Sequence, residues 1–371
     1  MGFEKGKTMK YLLIDGNNLG VRNSFANSGL KNSEGVPSGV HYGVFNSLCS
    51  LKKKFDDYQF MVIWDGKSKR RVAEALAAVK NNIVPSGYKE NREKDLDKMP
   101  QELKDFYQQA PYLQRAIHEL GIPQIRLDDF EADDLIASYI KLLYKDNKII
   151  AVTSDQDYYQ LLRYDISLWD GMKQKMTNRK DWEDENGITS AQYVDVGALM
   201  GDDGDNIHGV PGIGEKTAFK EIKKYGTWQK VLEAYKVKYQ DERLKHVDLN
   251  TPNLALEGDV EPNGISMFNG LKDLKSEKGK IIYPDIDFNM PYTGVLYAFN
   301  REILKNKASK TEIMALLFED RIKLAYSLKK MDEDIPNLPE IKKLSFNKDR
   351  ILEYFNYYDI TTLNDQISIF E

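Results

Sequence analysis

Acidic residues carry most of the chemistry written into this sequence. Asp15 follows the apolar run Tyr11–Ile14, Asp65 follows Phe60–Trp64, and Asp155 and Asp157 follow Ile149–Thr153. A second group is Glu131-Ala132-Asp133-Asp134, preceded by Asp128 and Asp129. On a helix, Glu131 and Asp134 share a face. The third is Gly201-Asp202-Asp203-Gly204-Asp205-Asn206, where Asp202 and Asp205 share a face if the stretch makes one helical turn. Each acid has an ordinary explanation alone: a helix cap, favourable placement at a helix N-terminus, or a polar turn. Those explanations do not account for the three groups together. Residues 128–157 hold eight acids against three bases. Packed carboxylates repel one another unless cations offset them. One cysteine (Cys49) and four scattered histidines leave an all-oxygen donor set, which selects magnesium or manganese. Two such ions suit phosphodiester hydrolysis, one activating water and the other steadying the leaving oxygen.

The positive counterpart lies in residues 66–92, with seven bases (Lys67, Lys69, Arg70, Arg71, Lys80, Lys89, Arg92) against Glu74 and Glu90. Within Gly87–Arg92, Tyr88 can stack on a base while Lys89 and Arg92 hold phosphates. A solvated charged loop is the alternative. The string Gly209–Ala218 places Gly212 and Gly214 where a tight turn exposes backbone N–H groups to an anion, and Lys216 adds a charge.

The elements that must position these groups alternate. Buried strands are predicted at Tyr11–Ile14, Phe60–Trp64 and Ile149–Thr153, each continuously apolar as in a parallel sheet covered on both faces. Helical patterns lie at Gly39–Phe55, Ala110–Leu120 and Ala132–Tyr144. The class is therefore α/β, with ligands expected beyond the C-terminal strand ends. Residues 72–111 are too long for an ordinary connection and are read as an inserted loop or helical arch. Further helices are predicted at 311–330 and 349–358, and a strand-like run at Val295–Phe299. The length of 371 residues suits two domains. The composition excludes a disordered chain, and no apolar run is long enough to span a bilayer. The single cysteine suits a reducing cytoplasm.

The ordered motifs resemble the flap endonuclease or 5′-to-3′ exonuclease family of bacteriophages and the 5′-nuclease domain of bacterial DNA polymerase I. They are Ile14–Asn18, Trp64-Asp65, Tyr88-Lys89-x-x-Arg92, Glu131–Asp134, Thr153–Asp157, Met200–Asn206 and Gly209–Ala218. The resemblance implies a PIN-like core with a mainly parallel sheet flanked by helices (1–205, arch 72–111). It also implies a helix-hairpin-helix region (206–330), from which an insertion at 237–305 departs, followed by a tail (331–371). It assigns one metal group to Asp15, Asp65, Glu131, Asp133 and Asp134, and a second to Asp155, Asp157, Asp202 and Asp205. Lys89, Arg92 and Asp155 are the implied catalytic residues, with Lys89 stabilising charge at the scissile phosphate. Arg22, Tyr88, Lys89, Arg92, Gly212, Gly214 and Lys216 are the implied DNA contacts, and family members hold a potassium ion at the hairpin. The implied cofactor is two or more Mg2+ or Mn2+ ions. The implied partner is DNA with 5′ flaps, forks or nicks, RNA–DNA primers included, met by a monomer in a bacterial or phage-infected cytoplasm.

The terminal Gln366, Ile367, Ile369 and Phe370 are similar to the bacterial sliding-clamp peptide, which docks as an extended segment. Packing on the chain's own core is the alternative. Two other functions stay open: a non-catalytic DNA-binding or clamp-associated factor, and a PIN-class ribonuclease. The net charge of -5 looks unfavourable for nucleic acid. Setting aside the nine site acids leaves 49 acids against 53 bases, so the acidity belongs to the candidate metal site.

Overall fold

A computed structural model describes residues 8–93, 99–238, 276–277, 280–281 and 310–371. In chain order the first elements are β1 (Lys10–Asp15), α1 (Gly16–Ala26), α2 (Gly39–Lys54), β2 (Gln59–Trp64), α3 (Lys69–Lys80), α4 (Glu90–Glu93) and α5 (Gln101–Glu119). Then come β3 (Gln124–Arg126), α6 (Ala132–Leu143), β4 (Lys148–Val152), β5 (Ser167–Asp170), β6 (Lys175–Asn178), α7 (Arg179–Asn186) and α8 (Tyr193–Met200). A short hairpin, β7 (Gly201–Asp202) and β8 (Ile207–His208), precedes α9 (Glu215–Tyr225) and α10 (Trp228–Lys238). Helices Lys310–Leu317, Glu319–Lys329 and Lys348–Tyr357 follow.

The chain divides into two compact units. The first comprises residues up to Val72, Asn91–Val194 and Lys329–Glu371; the second comprises Ala73–Glu90 and Asp195–Leu328.

In the first unit the sheet order is β3-β2-β1-β4-β5-β6, parallel except for the β5–β6 pair. Strands β1, β2 and β4 are buried at every residue but their first. Continuous apolar sequence gives that pattern because helices cover both faces. Leu12, Ile14, Val62, Trp64, Ile150 and Val152 face one core with α2, α5 and helix Lys348–Tyr357. On α6, Leu135, Ile136 and Tyr139 are fully buried, and the helix packs against β1, β2 and β4. The register pairs Asp15 with Ile63 and Ile14 with Val152. Asp65 and Asp155 thus each lie two residues past the level of Asp15, beyond the ends of the strands either side of β1.

Helix α5 begins at Gln101, well before the predicted Ala110, and runs through Pro111. Residues 101–111 are therefore core helix rather than arch. Phe106 is 1% exposed, and a Cβ on Gly20 of α1 would come within 2.1 Å of its ring. That interlock, with Leu113 and Ile117 buried further along, outweighs the hydrogen bond that Pro111 cannot donate.

The segment read as a tail is also core. Ile351, Phe355, Leu363 and Ile367 are at most 1% exposed in the sheet's main cluster. Gln366–Phe370 does not form an extended docking peptide: Ile367–Phe370 is a 3-10 turn packed against α2, and Ile367 and Phe370 are buried. Burial of two large apolar side chains fixes that conformation.

In the second unit, β7 and β8 pair antiparallel, and α10 packs on α9 and on helix Lys310–Leu317. Ala218, Ile222, Val231, Leu232, Ala315 and Ile322 are at most 2% exposed and form its interior. The predicted insertion at 237–305, including Val295–Phe299, lies almost entirely outside the described residues. No helix among the described residues is long and apolar enough to cross a membrane.

Candidate active site

Strand β1 ends in Asp15, which also caps α1 by accepting a 2.9 Å hydrogen bond from the Asn18 N–H. Its other carboxylate oxygen accepts from the Tyr158 hydroxyl at 3.1 Å. Asp65 accepts from the Ala132 N–H at 2.8 Å. Asp155 caps the 3-10 helix Gln156–Tyr164 by accepting from the Asp157 N–H at 2.9 Å. Two asparagines tie these strand ends together. Asn17 accepts from the Asp65 N–H at 3.1 Å, and Asn18 accepts from the Ser154 N–H at 3.2 Å. Gly66 donates its N–H to the Phe130 carbonyl at 2.8 Å, and a Cβ there would lie 2.0 Å from the Leu127 carbonyl. Only glycine permits that approach of the Asp65 loop to the Glu131 loop.

Burial raises the Asp15 carboxyl well above the usual carboxylate range, and the charges of Asp65 and Asp155 raise it further. This set suits a hard divalent ion in chemistry: oxygen donors only, with ionisation of Asp15 opposed until a cation arrives.

The second acidic group is already occupied. Arg71, 1% exposed, bonds Glu131 at 2.7 Å, Asp133 at 3.1 Å and Asp134 at 2.7 Å. Asp134, 0% exposed, also accepts from the N–H groups of Asp332 at 2.8 Å and Glu131 at 3.4 Å. Burial and the neighbouring Asp133 push its carboxyl up to about 8, against the pull of Arg71. Its contacts are those of a counter-ion and cap, which differs from the ligand role implied by the sequence. Arg71, one of the seven bases of residues 66–92, points into the protein, and its neighbours Lys69 and Arg70 pair with Asp129 and Asp332.

Within the second unit, two motifs far apart in sequence meet. Lys89 donates its N–H to the Asp205 carbonyl at 2.9 Å, and its ammonium lies 3.6 Å from the Asp205 carboxylate. The Tyr88 hydroxyl donates to the same carboxylate at 3.2 Å. The Tyr88 ring is half-buried against Ile207, Ala325 and Leu328, with Lys89 over it, so it is braced rather than open on all sides. Asn206 donates to the Gly87 carbonyl, and Asp202 caps the turn by accepting from the Gly204 N–H at 2.8 Å. Gly212 (φ +85°), Gly214 and Lys216 are exposed, while Ile213 and Ala218 anchor the turn beneath them. Arg92 lies on α4, and Arg22 is half-buried near Asp170.

Residues 10–187 match the family described as 5′-3′ exonuclease, N-terminal resolvase-like domain. Residues 188–255 match 5′-3′ exonuclease, C-terminal SAM fold. A 5′-3′ exonuclease of Buchnera aphidicola (subsp. Baizongia pistaciae) is 33% identical over 61% of this chain and 70% of its own length. The chain belongs to the 5′-3′ exonuclease family. The thermostable DNA polymerase I of Thermus thermophilus is 31% identical over 67% of the chain, which spans only 28% of that polymerase. In fold it is similar to the catalytic core of Rad2, solved in complex with DNA substrate, at a TM-score of 0.51 and 13% identity over 98% of this chain and 92% of that one.

Two features of this 5′-3′ exonuclease-family chain escaped the sequence motifs. One is Arg71, whose burial among acids a charge count does not reveal. The other is Lys329, 5% exposed, whose ammonium bonds Asp157 at 2.7 Å. A lysine 172 residues from its partner leaves no local signal. Among the described residues, no group of three or more His, Cys, Asp or Glu is arranged to hold a metal ion. Guanidinium and ammonium stand beside Glu131, Asp133, Asp134 and Asp157.

Proposed function

We propose that this chain is a divalent-metal-dependent 5′ nuclease that hydrolyses DNA phosphodiesters at 5′ flaps and 5′ ends. The observation that carries the proposal is the placement of Asp15, Asp65 and Asp155 beyond three adjacent parallel strands, with the Asp15 carboxyl raised by burial and, beyond that, by the charges of the other two. Family membership and the Rad2-like fold support it.

Asp15, Asp65 and Asp155 would hold magnesium or manganese, with Glu131 and Asp133 as their neighbours and Asp157 on the turn of Asp155; in the second unit, Asp202 and Asp205 are further candidate carboxylates. The bound ion supplies Lewis-acid polarisation of the phosphodiester and of water. The chain's own residues do the rest. Tyr158 and the Asn18 N–H hold both oxygens of Asp15, so that its carboxylate enters the reaction already oriented. Lys89 and Arg92 stabilise negative charge developing on the phosphate, in the manner of preorganised donors. Tyr88, braced by Asp205, offers an aromatic face to a base. The exposed turn Gly212–Gly214 and Lys216 grip the duplex backbone; the same turn would hold a potassium ion, which would add positive charge toward the phosphates. The first unit carries Asp15, Asp65 and Asp155, and the second carries Tyr88, Lys89 and the duplex-gripping turn; the chain works as a monomer on DNA in a bacterial or phage-infected cytoplasm. Ile367 and Phe370 belong to the core. Sliding-clamp docking through them requires release of the terminal turn and forms no part of the proposed activity.

A 5′-flapped duplex, end-labelled and incubated with purified protein and magnesium, tests the reading. Cleavage close to the flap junction, abolished by chelator and by Asp155→Ala, is expected. An intact flap, or faster cleavage of single-stranded RNA, overturns it.

A further inference from the structure

Lys329 is the last residue of helix Glu319–Lys329 and the point where the first unit resumes. Its ammonium reaches both carboxylate oxygens of Asp157, at 2.7 Å to Oδ2. The side chain is only 5% exposed. Long lysines at such low exposure are rare unless something holds them. Here Gln160, 1% exposed, does so. Its amide N–H group donates to the Lys329 carbonyl at 3.0 Å and to the Asp157 carbonyl at 2.9 Å. Its oxygen accepts from the Met331 N–H at 3.2 Å. One buried side chain thus fixes the backbone on both sides of the ion pair. Beyond it the chain stays clamped, with Arg70 on Asp332 and Ser138 on the Asp332 carbonyl.

We infer that Lys329 is a positioning residue, a resident counter-ion that covers Asp157 and must yield before that carboxylate engages a divalent cation. This rests on the reading of Asp157 as a cation-facing group. Three physical points lead there. Asp157 is two residues from Asp155, whose oxygen accepts the Asp157 N–H, so the two carboxylates belong to one turn. An ammonium on both oxygens of a carboxylate takes the positions that a hard cation needs. A unit charge a few ångströms from a dication opposes its binding. The consequence is graded metal binding. The carboxylates Asp15, Asp65 and Asp155 bind first, and the ion facing Asp157 binds weakly because it competes with Lys329. Removal of the lysine charge therefore tightens metal binding, the reverse of what loss of a ligand or of a structural contact does.

The test is calorimetric titration of the full chain with Mn2+, without DNA, in wild type and in Lys329→Met, Lys329→Gln and Lys329→Arg. The neutral variants are expected to bind the weaker ion roughly tenfold more tightly, the size of effect a close charge has on a carboxylate. Lys329→Arg is expected to match wild type. Combination with Asp157→Asn should abolish the gain, because the coupling then has no partner. Lys329→Gln keeps a hydrogen bond to Asp157, so it reports on charge even if the Met variant does not fold. Unchanged or weaker Mn2+ binding in folded neutral variants overturns the role of Lys329 alone. If neither wild type nor any variant binds Mn2+, the metal-dependent reading of the site falls with it.

Discussion

Arg71 makes five hydrogen bonds to three carboxylates, Glu131, Asp133 and Asp134, while buried. Its removal leaves like charges facing one another in a dry setting. Arg71→Met should therefore lower unfolding stability by about 3–5 kcal/mol. Urea denaturation measures this, and a loss below about 1 kcal/mol would contradict the ion-pair account. Asp15 is the opposite case, because burial and two neighbouring acids already oppose its charge. Asp15→Asn should leave metal-free stability equal or higher, by thermal melting, while flap cleavage drops at least about 100-fold. The acids were legible in the sequence because a buried strand followed by a carboxylate marks a position in a parallel sheet. The cations were not. Arg71 sits two residues into a helix whose basic residues looked uniform, and only the folded loop at Glu131–Asp134 shows which one turns inward.

At the scale of elements, the strands and α6 match their hydrophobic pattern closely, since a covered parallel sheet writes its burial directly into sequence. Helix α5 does not, because Pro111 reads as a stop and its charged first half reads as loop. Tertiary packing decides otherwise through the Gly20–Phe106 interlock. Gly20→Ala should cost about 1–3 kcal/mol by overpacking, and Phe106→Leu in the same chain should recover part of it. The terminal turn makes a parallel case. Its side-chain pattern suited both a docking peptide and a core edge, and 0% exposure of Ile367 selects the core. Ile367→Ala should cost about 2–5 kcal/mol in a denaturant titration. A free docking peptide would show no such loss.

Across the whole molecule, the same charge count that isolated the acidic site overstated the basic segment, where Lys69, Arg70 and Arg71 are spent on acids. Charge totals cannot tell a paired cation from a phosphate-facing one. Distant segments are joined in the first unit by a second buried polar group, away from the site. His41 of α2 is 0% exposed, its Nε2–H donating to Gln109 of α5 at 3.0 Å. Its Nδ1 accepts from the Tyr354 hydroxyl, and its ring lies 3.7 Å from that of Tyr358. The Tyr358 hydroxyl also donates to Gln109 at 3.1 Å. Every partner is met with the imidazole neutral, and burial lowers its pKa from 6.5 to about 4. The unfolded chain therefore takes up a proton before the folded one does as pH falls. Stability from this residue is intact above about pH 6.5 and is lost progressively toward pH 4, by up to about 3 kcal/mol. Unfolding free energies of wild type and His41→Gln, measured from pH 8 to pH 4, isolate that contribution from the general effect of acid. Their difference should be flat above pH 7 and should swing against wild type by that amount as the pH drops. Parallel curves would mean that this network does not hold His41 neutral.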